Sequence, residues 1–113
     1  MIKVYGIKNC DSVKKALGFF KKNNIQYELF DFKTQELSCE KIDYWVSKTA
    51  LKSLFNTRST TYRNLKLKEL DLNDTQKIEW LCKENLLIKR PVVEYNNEVL
   101  VGFNEEIFQR SFL

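Results

Sequence analysis

The apolar residues change their spacing twice within the first 32 positions, and this pattern constrains the fold more than any other feature of the sequence. Residues 2–5 alternate between apolar and polar, which indicates a strand, whereas the apolar residues of segment 13–20 recur at helical spacing. Residues 25–32 alternate again. A strand, a helix and a second strand within about thirty residues predict a βαβ unit, and its crossover is expected to be right-handed.

Helical patterns fill the middle of the chain. Ser38 is expected to cap a helix over residues 39–49, because serine is a preferred residue at this position. A short helix over residues 51–55, a polar loop over residues 56–61 and a further helix over residues 74–84 are expected to follow. These segments predict helices between two stretches of β-structure.

The last third of the chain returns to the strand pattern. Residues 91–95 and 98–102 flank Asn96-Asn97, a two-residue link suited to a hairpin turn with positive φ. Asn104 is then expected to cap a final helix. The order βαβ, helices, ββα, with no linker, repeat or low-complexity segment, predicts one domain.

The chain of 113 residues lacks histidine, which excludes Cys-His dyads, Ser-His-Asp triads and zinc sites that contain histidine. Its three cysteines cannot form a four-thiolate site, and the spacing of Cys10, Cys39 and Cys82 matches no metal motif, so no metal is expected. Three glycines leave no phosphate-binding loop, and no bound cofactor is expected. Thiols, arginines, lysines and carboxylates remain as candidate chemical groups.

Cysteine number, hydropathy and charge indicate the class of protein. Three cysteines far apart in sequence do not suggest a disulfide framework, so free thiols in a reducing compartment, the cytoplasm, are expected. No apolar run reaches the ~18 residues that cross a bilayer, so no membrane contact is expected. The net charge of +4 is mild and no basic recognition motif is present, so we expect no direct DNA binding.

Cys10 is the principal candidate for chemistry, because it lies in the turn between the first strand and the first helix. There the free N–H groups of Ser12 and Val13 can point at its sulfur, and the positive end of the helix dipole favours a thiolate. Lys8 acts in the same direction, whereas Asp11 opposes it. The alternative is a small buried residue at a turn.

The remaining candidates have simpler alternatives. Cys39 and Cys82 each lie within a predicted helix, where free cysteine commonly packs as a small apolar residue, so both are expected in the core. Arg58 in the polar loop and Arg90 before the only proline could bind an oxyanion through the guanidinium group. Taken alone, the sequence favours exposed surface charges for both arginines.

Four segments, in consistent order, resemble the ArsC/Spx family. This family includes glutaredoxin-coupled arsenate reductases, YffB-type reductase-like proteins and the Spx transcription regulators. The matching segments are Tyr5-Gly-Ile-Lys-Asn-Cys10-Asp, Asn56-Thr-Arg-Ser59, Leu87-Ile-Lys-Arg-Pro91 and Val101-Gly-Phe103-Asn-Glu-Glu106. They span essentially the whole chain, and the resemblance is greatest to the YffB-type branch.

The resemblance implies an α/β, thioredoxin-like fold in the order βαβ–ββα, with a mixed four-stranded sheet. This agrees with the order of elements obtained from the residue patterns. A single ArsC-like domain would cover residues 1–113, with thioredoxin-like parts at about 1–32 and 86–113. A helical insertion at about 33–85 would lie between its two halves.

The resemblance also implies roles for individual residues. Cys10 matches the active-site cysteine of the family. Arg58 and Arg90 match two arginines that surround the anion in the arsenate reductases, and Pro91 matches a cis-proline that faces the cysteine. Ser12 joins the two arginines as an expected anion-binding or substrate-binding residue.

Two functions follow from these assignments. In the first, a thiol-dependent oxidoreductase, the Cys10 thiolate attacks a disulfide or an oxyanion such as arsenate. Glutathione or a glutaredoxin would then resolve the intermediate, because no second cysteine lies within C-x-x-C reach of Cys10. In the second, an Spx-like regulator binds RNA polymerase without catalysis. A thioredoxin-fold binding module without turnover is a third possibility.

The chain departs from both patterns at defined positions. Arsenate reductases have a third anion-binding arginine in the final hairpin, where this chain has Leu100-Val-Gly-Phe103, so arsenate is a doubtful substrate. Many Spx proteins carry a C-x-x-C redox switch, where this chain has Cys10-Asp-Ser-Val13. Ala50 stands where Spx has a glycine used in docking on RNA polymerase.

Overall fold

The computed structural model describes residues 1–113, which divide into two units. Residues 1–31 and 90–113 form the first, here called the sheet unit. Residues 32–89 form the second, here called the helical unit. The single domain expected over the whole chain stays a prediction.

The sheet unit contains a mixed four-stranded sheet in the order β2-β1-β3-β4. β1 pairs in parallel with β2 and antiparallel with β3, and β3 pairs antiparallel with β4. The α/β, thioredoxin-like fold class predicted from the sequence is confirmed. Its elements are β1 (Ile2–Gly6), α1 (Asp11–Lys22), β2 (Tyr27–Asp31), β3 (Val92–Tyr95), β4 (Glu98–Val101) and α6 (Glu105–Phe112).

Aromatic rings join α1 to α6 in the core of the sheet unit. The Phe20 ring centroid lies 5.6 Å from that of Phe108 and 5.0 Å from that of Phe112. The helical spacing recognised in the sequence explains this contact, because it gathers the apolar residues of α1 on one face. The buried residues of α1 are Val13, Ala16, Phe19 and Phe20.

Local capping and turn signals fix the ends of the elements. Asn96 and Asn97 have φ values of 46° and 63°, as predicted for the hairpin between β3 and β4. The Asn104 side chain accepts a hydrogen bond from the Ile107 N–H at 3.1 Å and caps α6. The Ser38 side chain accepts from the Lys41 N–H at 3.2 Å and caps α2 (Cys39–Lys48).

The helical unit consists of four helices and two 3₁₀ turns. The polar loop predicted over residues 56–61 is shorter than expected, because the Ser59 side chain accepts from the Tyr62 N–H at 3.1 Å and caps the start of α4 (Thr60–Asn64). The elements are α2 (Cys39–Lys48), α3 (Leu51–Leu54), α4 (Thr60–Asn64) and α5 (Asp74–Lys83), with 3₁₀ turns at Leu67–Leu70 and Asn85–Leu87.

The prediction that Cys39 and Cys82 are free core residues is wrong. Cys39 is exposed as the first residue of α2, and Cys82 is half-buried at the penultimate position of α5. The two form a disulfide, and their Cα atoms lie 5.2 Å apart. Leu81 is the buried residue at that end of α5. In α2, Cys39 lies about one turn before Ile42, the first buried residue of that helix. Both cysteines therefore lie beside the core rather than within it.

None of the helices combines the length and the apolar character that crossing a membrane requires.

We expect Gly6→Ala to destabilise the protein by about 1–3 kcal/mol, as overpacked core substitutions do. A Cβ at Gly6 would lie 2.6 Å from Cγ2 of Val13, a fully buried side chain that is stiff at χ1. Gly18→Ala is the matched control, because a Cβ there meets nothing within 4 Å and alanine favours the helix by about 1 kcal/mol. Urea unfolding of both variants and the wild type measures the change in the free energy of unfolding. A Gly6→Ala variant as stable as the wild type would contradict the prediction.

Candidate active site

Cys10 is the N-cap residue of α1, with extended backbone angles of φ −139° and ψ 126°. Its carbonyl oxygen accepts the first hydrogen bond of the helix, from the Lys14 N–H at 2.9 Å. The thiol is the one free cysteine of the chain and is half-buried. It therefore occupies the strand-to-helix turn predicted from the sequence and remains accessible to a small reagent.

One part of the surroundings expected for the Cys10 sulfur is not observed. The N–H groups of Ser12 and Val13 were expected to point at it, but the N-cap side chain makes no capping hydrogen bond. Sulfur is a weak hydrogen-bond acceptor, so Cys10 stabilises the free N–H groups of the first helical turn less than a serine or asparagine at this position would. What remains is the partial positive charge of the helix N-terminus, opposed by the exposed carboxylate of Asp11.

The segment Arg90-Pro91 lies at the end of the sheet from which the Cys10 turn departs. β3 runs antiparallel to β1 with Val92 opposite Tyr5, so the residues before Val92 lie beside the end of β1. A Cβ built on Gly6 would be 3.7 Å from Cβ of Arg90, which shows how closely the two backbones approach. The sheet therefore brings Arg90 to the same end as Cys10.

The Arg90–Pro91 peptide bond is cis, the isomer that the family resemblance implies. Pro91 is buried, and its carbonyl oxygen accepts a hydrogen bond from the Gly102 N–H at 2.7 Å. Arg90 is half-exposed, as is Ser12 at the second position of α1. The sheet unit thus contains four of the five residues predicted for the site, Cys10, Ser12, Arg90 and Pro91.

A tyrosine–carboxylate pair that the sequence did not reveal lies on β1 and β3. The Tyr5 hydroxyl donates to Oε1 of Glu94 at 2.9 Å, and Tyr5 is only 4% exposed. Burial, followed by the hydrogen bond to Glu94 and the carboxylate charge, raises the pKa of Tyr5 well above that of a free phenol. Tyr5 therefore stays a neutral donor within β1, the strand that leads to Cys10.

Arg58 belongs to the helical unit, where its side chain is exposed. Its backbone is held by a local turn, because the Arg58 N–H donates to Oδ1 of Asn56 at 3.0 Å. The Ser59 hydroxyl donates to the Asn56 carbonyl oxygen at 3.0 Å and closes the same turn. The approach of Arg58 to Cys10 stays a prediction.

A comparison with known protein families gives a match that includes all the residues of the candidate site. The sequence pattern of the ArsC family matches residues 5–111, from Tyr5 in β1 to Ser111 in α6. The chain belongs to the ArsC family.

Two relatives show the breadth of this ArsC-family match. An uncharacterized protein of Haemophilus influenzae is 39% identical over 113 residues, which cover 99% of each chain. The global transcriptional regulator Spx of Lactiplantibacillus plantarum is 24% identical over 112 residues, which cover 97% of this chain and 85% of its own. Both alignments include nearly the whole ArsC-family chain.

Two solved structures share the fold. A protein named YffB is 29% identical, covers 100% of both chains and superposes with a TM-score of 0.92. The solution structure of an arsenate reductase (ArsC) related protein from Brucella melitensis is 29% identical, with a TM-score of 0.77, over 98% of this chain and 93% of its own. The resemblance recognised in the sequence is therefore confirmed at the level of family and fold.

The Cys10 thiol and the Arg90 guanidinium are the candidate chemical groups at this end of the sheet. No group of three or more histidine, cysteine, aspartate or glutamate side chains is placed to hold a metal ion. A thiolate is a nucleophile, and a guanidinium group binds the negative charge of a substrate. The arrangement suits attack on an electrophilic sulfur or on an oxyanion.

Removing either candidate arginine is expected to slow alkylation of Cys10 at neutral pH several-fold. Arg58→Ala and Arg90→Ala should also weaken the protection of the thiol by sulfate or arsenate, because a nearby guanidinium stabilises both thiolate and anion. Mass spectrometry of iodoacetamide-treated protein gives the rates. Arg63→Ala and Arg110→Ala, which remove an exposed arginine from each unit, are matched controls. Equal rates in all four variants would make Arg58 and Arg90 ordinary surface charges.

Tyr5→Phe is expected to lower the free energy of unfolding by about 1 kcal/mol, the usual contribution of one hydrogen bond. Because the pKa of Tyr5 is raised in the folded state, its stabilisation is complete below pH 10 and is lost as the pH rises further. The wild-type free energy of unfolding should therefore fall more steeply above pH 10 than that of Tyr5→Phe. Denaturant unfolding of both proteins at pH values below and above 10 measures this difference. Parallel dependence of the free energy of unfolding on pH would contradict the raised pKa of Tyr5.

Proposed function

We propose that this ArsC-family protein is a thiol-dependent oxidoreductase whose nucleophile is Cys10. The observation that carries the proposal is the position of Cys10, a free, half-buried thiol at the N-terminus of α1. Arg90 and the buried Pro91 lie at the same end of the sheet. In this proposal the protein acts in the cytoplasm, where the glutathione pool is reducing.

The proposed reaction with a disulfide proceeds by two exchanges at Cys10. The Cys10 thiolate attacks one sulfur of the substrate, forms a mixed disulfide and releases the other half as a thiolate. A glutathione thiolate then attacks the substrate sulfur of this mixed disulfide, forms a glutathione–substrate disulfide and releases the Cys10 thiolate. A second glutathione thiolate attacks that disulfide in solution, which releases the other substrate thiol and leaves one glutathione disulfide. The two electrons that reduce the substrate thus come from glutathione or a glutaredoxin, and Cys10 is unchanged after each cycle.

In this proposal an external thiol resolves the mixed disulfide, because neither of the other two cysteines is a partner of Cys10. Cys39 and Cys82 are bonded to each other, and Val13 occupies the position where a C-x-x-C motif has its second cysteine. In the proposed mechanism Arg58, Arg90 and Ser12 bind the negative charge of the substrate. That substrate is a small oxyanion or a thiol compound, and the absence of the third arginine makes a disulfide the better choice than arsenate.

Turnover of a small disulfide with glutathione is the decisive assay. Bis(2-hydroxyethyl) disulfide should be reduced when glutathione, glutathione reductase and NADPH are supplied, and NADPH oxidation reports the rate. Cys10→Ser should lower this rate to the uncatalysed level, because the nucleophile is lost, while circular dichroism shows an unchanged fold. Arsenate reduction is measured in parallel and is expected to be slow. Equal rates for the wild type and Cys10→Ser would contradict the proposal.

A second candidate function is that of an Spx-like regulator that binds RNA polymerase without catalysis. The similarity to the Lactiplantibacillus plantarum Spx protein favours it. Val13 and Ala50, which replace the second cysteine and the docking glycine expected in Spx, count against it. Co-purification of RNA polymerase with the tagged protein, together with no turnover of any disulfide, would replace the enzyme proposal with this one.

A further inference from the structure

The disulfide of the helical unit joins two helices through residues far apart in the sequence. Cys39 begins α2, Cys82 lies near the end of α5, and 43 positions separate them. Their Cα atoms are 5.2 Å apart, within the range of about 4.4–6.8 Å that a disulfide requires. The backbone therefore holds these two thiols at bonding distance.

The two sulfur atoms differ in their access to solvent. Cys39 is exposed at the end of a helix, whereas Cys82 is half-buried next to Leu81, which is fully buried. The first turn of α2 also provides the partial positive charge that favours a thiolate, whereas the last turn of α5 does not. In the reduced form Cys39 should therefore be the thiolate that attacks a small disulfide, and in the oxidised form its exposed sulfur is the one that a small thiol can reach.

A cavity of about 350 Å³ lies between the residues that precede Cys39 and those that follow Cys82. Its lining includes two lysines, Lys33 and Lys83, and two glutamates, Glu36 and Glu84. Side chains of both signs suit a small molecule that carries both ammonium and carboxylate groups. A zwitterionic thiol such as glutathione has this chemistry.

Noncovalent contacts hold the two helix ends together independently of the disulfide. The Leu37 N–H donates to Oδ1 of Asn85 at 3.1 Å, and Nδ2 of Asn85 donates to the Leu81 carbonyl oxygen at 2.9 Å. The helices α2 and α5 are also in contact with each other. After reduction the two thiols should therefore stay close enough for the bond to form again.

We propose that Cys39 and Cys82 form a second redox site, separate from Cys10, that small zwitterionic thiols reduce and their disulfides oxidise. This inference does not depend on the function proposed for Cys10. It assigns to the helical unit a reversible modification whose partner is a low-molecular-weight thiol or disulfide.

The two steps of oxidation balance without any further reagent. The Cys39 thiolate attacks a glutathione disulfide, forms a mixed disulfide and releases one glutathione thiolate. The Cys82 thiolate then attacks the Cys39 sulfur, forms the internal disulfide and releases the second glutathione thiolate. Two protein thiols lose two electrons and two protons, and one glutathione disulfide becomes two molecules of glutathione. Reduction follows the same steps in reverse.

A redox titration of the full-length Cys10→Ser variant tests reversibility. The protein is equilibrated in buffers with graded ratios of glutathione to glutathione disulfide, quenched in acid and alkylated, and the peptides are quantified by mass. The linked peptide containing Cys39 and Cys82 should rise smoothly as the buffer becomes more oxidising and fall again on return. A linked peptide that persists in every buffer would mean an inert crosslink, and its absence in every buffer would mean unpaired thiols. Either result overturns the proposal.

Single cysteine variants test the difference in access. In the Cys10→Ser background, Cys82→Ser should accumulate a glutathione adduct on Cys39 at least ten times faster than Cys39→Ser accumulates one on Cys82. Lys33→Ala and Lys83→Ala should each slow the adduct on Cys39 several-fold, and Lys66→Ala, outside the cavity lining, is the matched control. Equal adduct rates at both cysteines, or rates insensitive to both cavity lysines, would contradict the assigned route.

Reduction of Cys10→Ser itself gives a readout that needs no change at Cys39 or Cys82. Opening a crosslink over 43 positions should lower the melting temperature by on the order of 10 °C, because the unfolded chain regains freedom. Trp80 lies two positions before Cys82, so its fluorescence should change with the same glutathione midpoint as the linked peptide. A melting temperature and a Trp80 fluorescence that do not change on reduction would overturn the proposal.

Discussion

The antiparallel pairing of β1 with β3 is the constraint on which the candidate site depends. It places Tyr5 opposite Val92 and so joins the two ends of the chain in one sheet. The Tyr5 hydroxyl and Glu94, separated by 89 positions, strengthen the same pairing across the two strands. Without this register the Arg90-Pro91 segment would have no fixed relation to the turn that carries Cys10. The geometry of the candidate site in the sheet unit is thus a consequence of strand pairing rather than of a local motif.

Elements and their ends could be predicted from the sequence because their signals are local. The helical spacing that ends at Phe20 predicted the buried face of α1, and Ser38 and Asn104 predicted two helix starts through side chains that bind N–H groups three positions ahead. The pair Asn96-Asn97 predicted positive φ, because asparagine tolerates this conformation better than most residues. Each of these inferences requires only residues within one or two turns of each other.

Two features that depend on long-range pairing could not be predicted. The partner of Tyr5 follows from strand register, and the pairing of Cys39 with Cys82 follows from how α2 and α5 pack, neither of which a single sequence specifies. The missing hydrogen bond at the Cys10 sulfur has a different cause. The sequence correctly placed the residue at the N-cap, but an N-cap thiol is a weak acceptor and does not take the role of a serine oxygen.

The pairing of Cys39 with Cys82 also bears on how Cys10 can work. A chain with three free thiols could resolve a mixed disulfide at Cys10 by internal exchange, if one of the others approached it. When Cys39 and Cys82 are bonded to each other, Cys10 is the one free thiol of the chain, and in the proposed mechanism the electrons for its turnover come from an external thiol. The chemistry of Cys10 is then separate from that of the Cys39–Cys82 pair, because the pair is bonded as well as because it lies elsewhere in the chain. Under reducing conditions this separation would depend on geometry alone, because all three cysteines would carry free thiols.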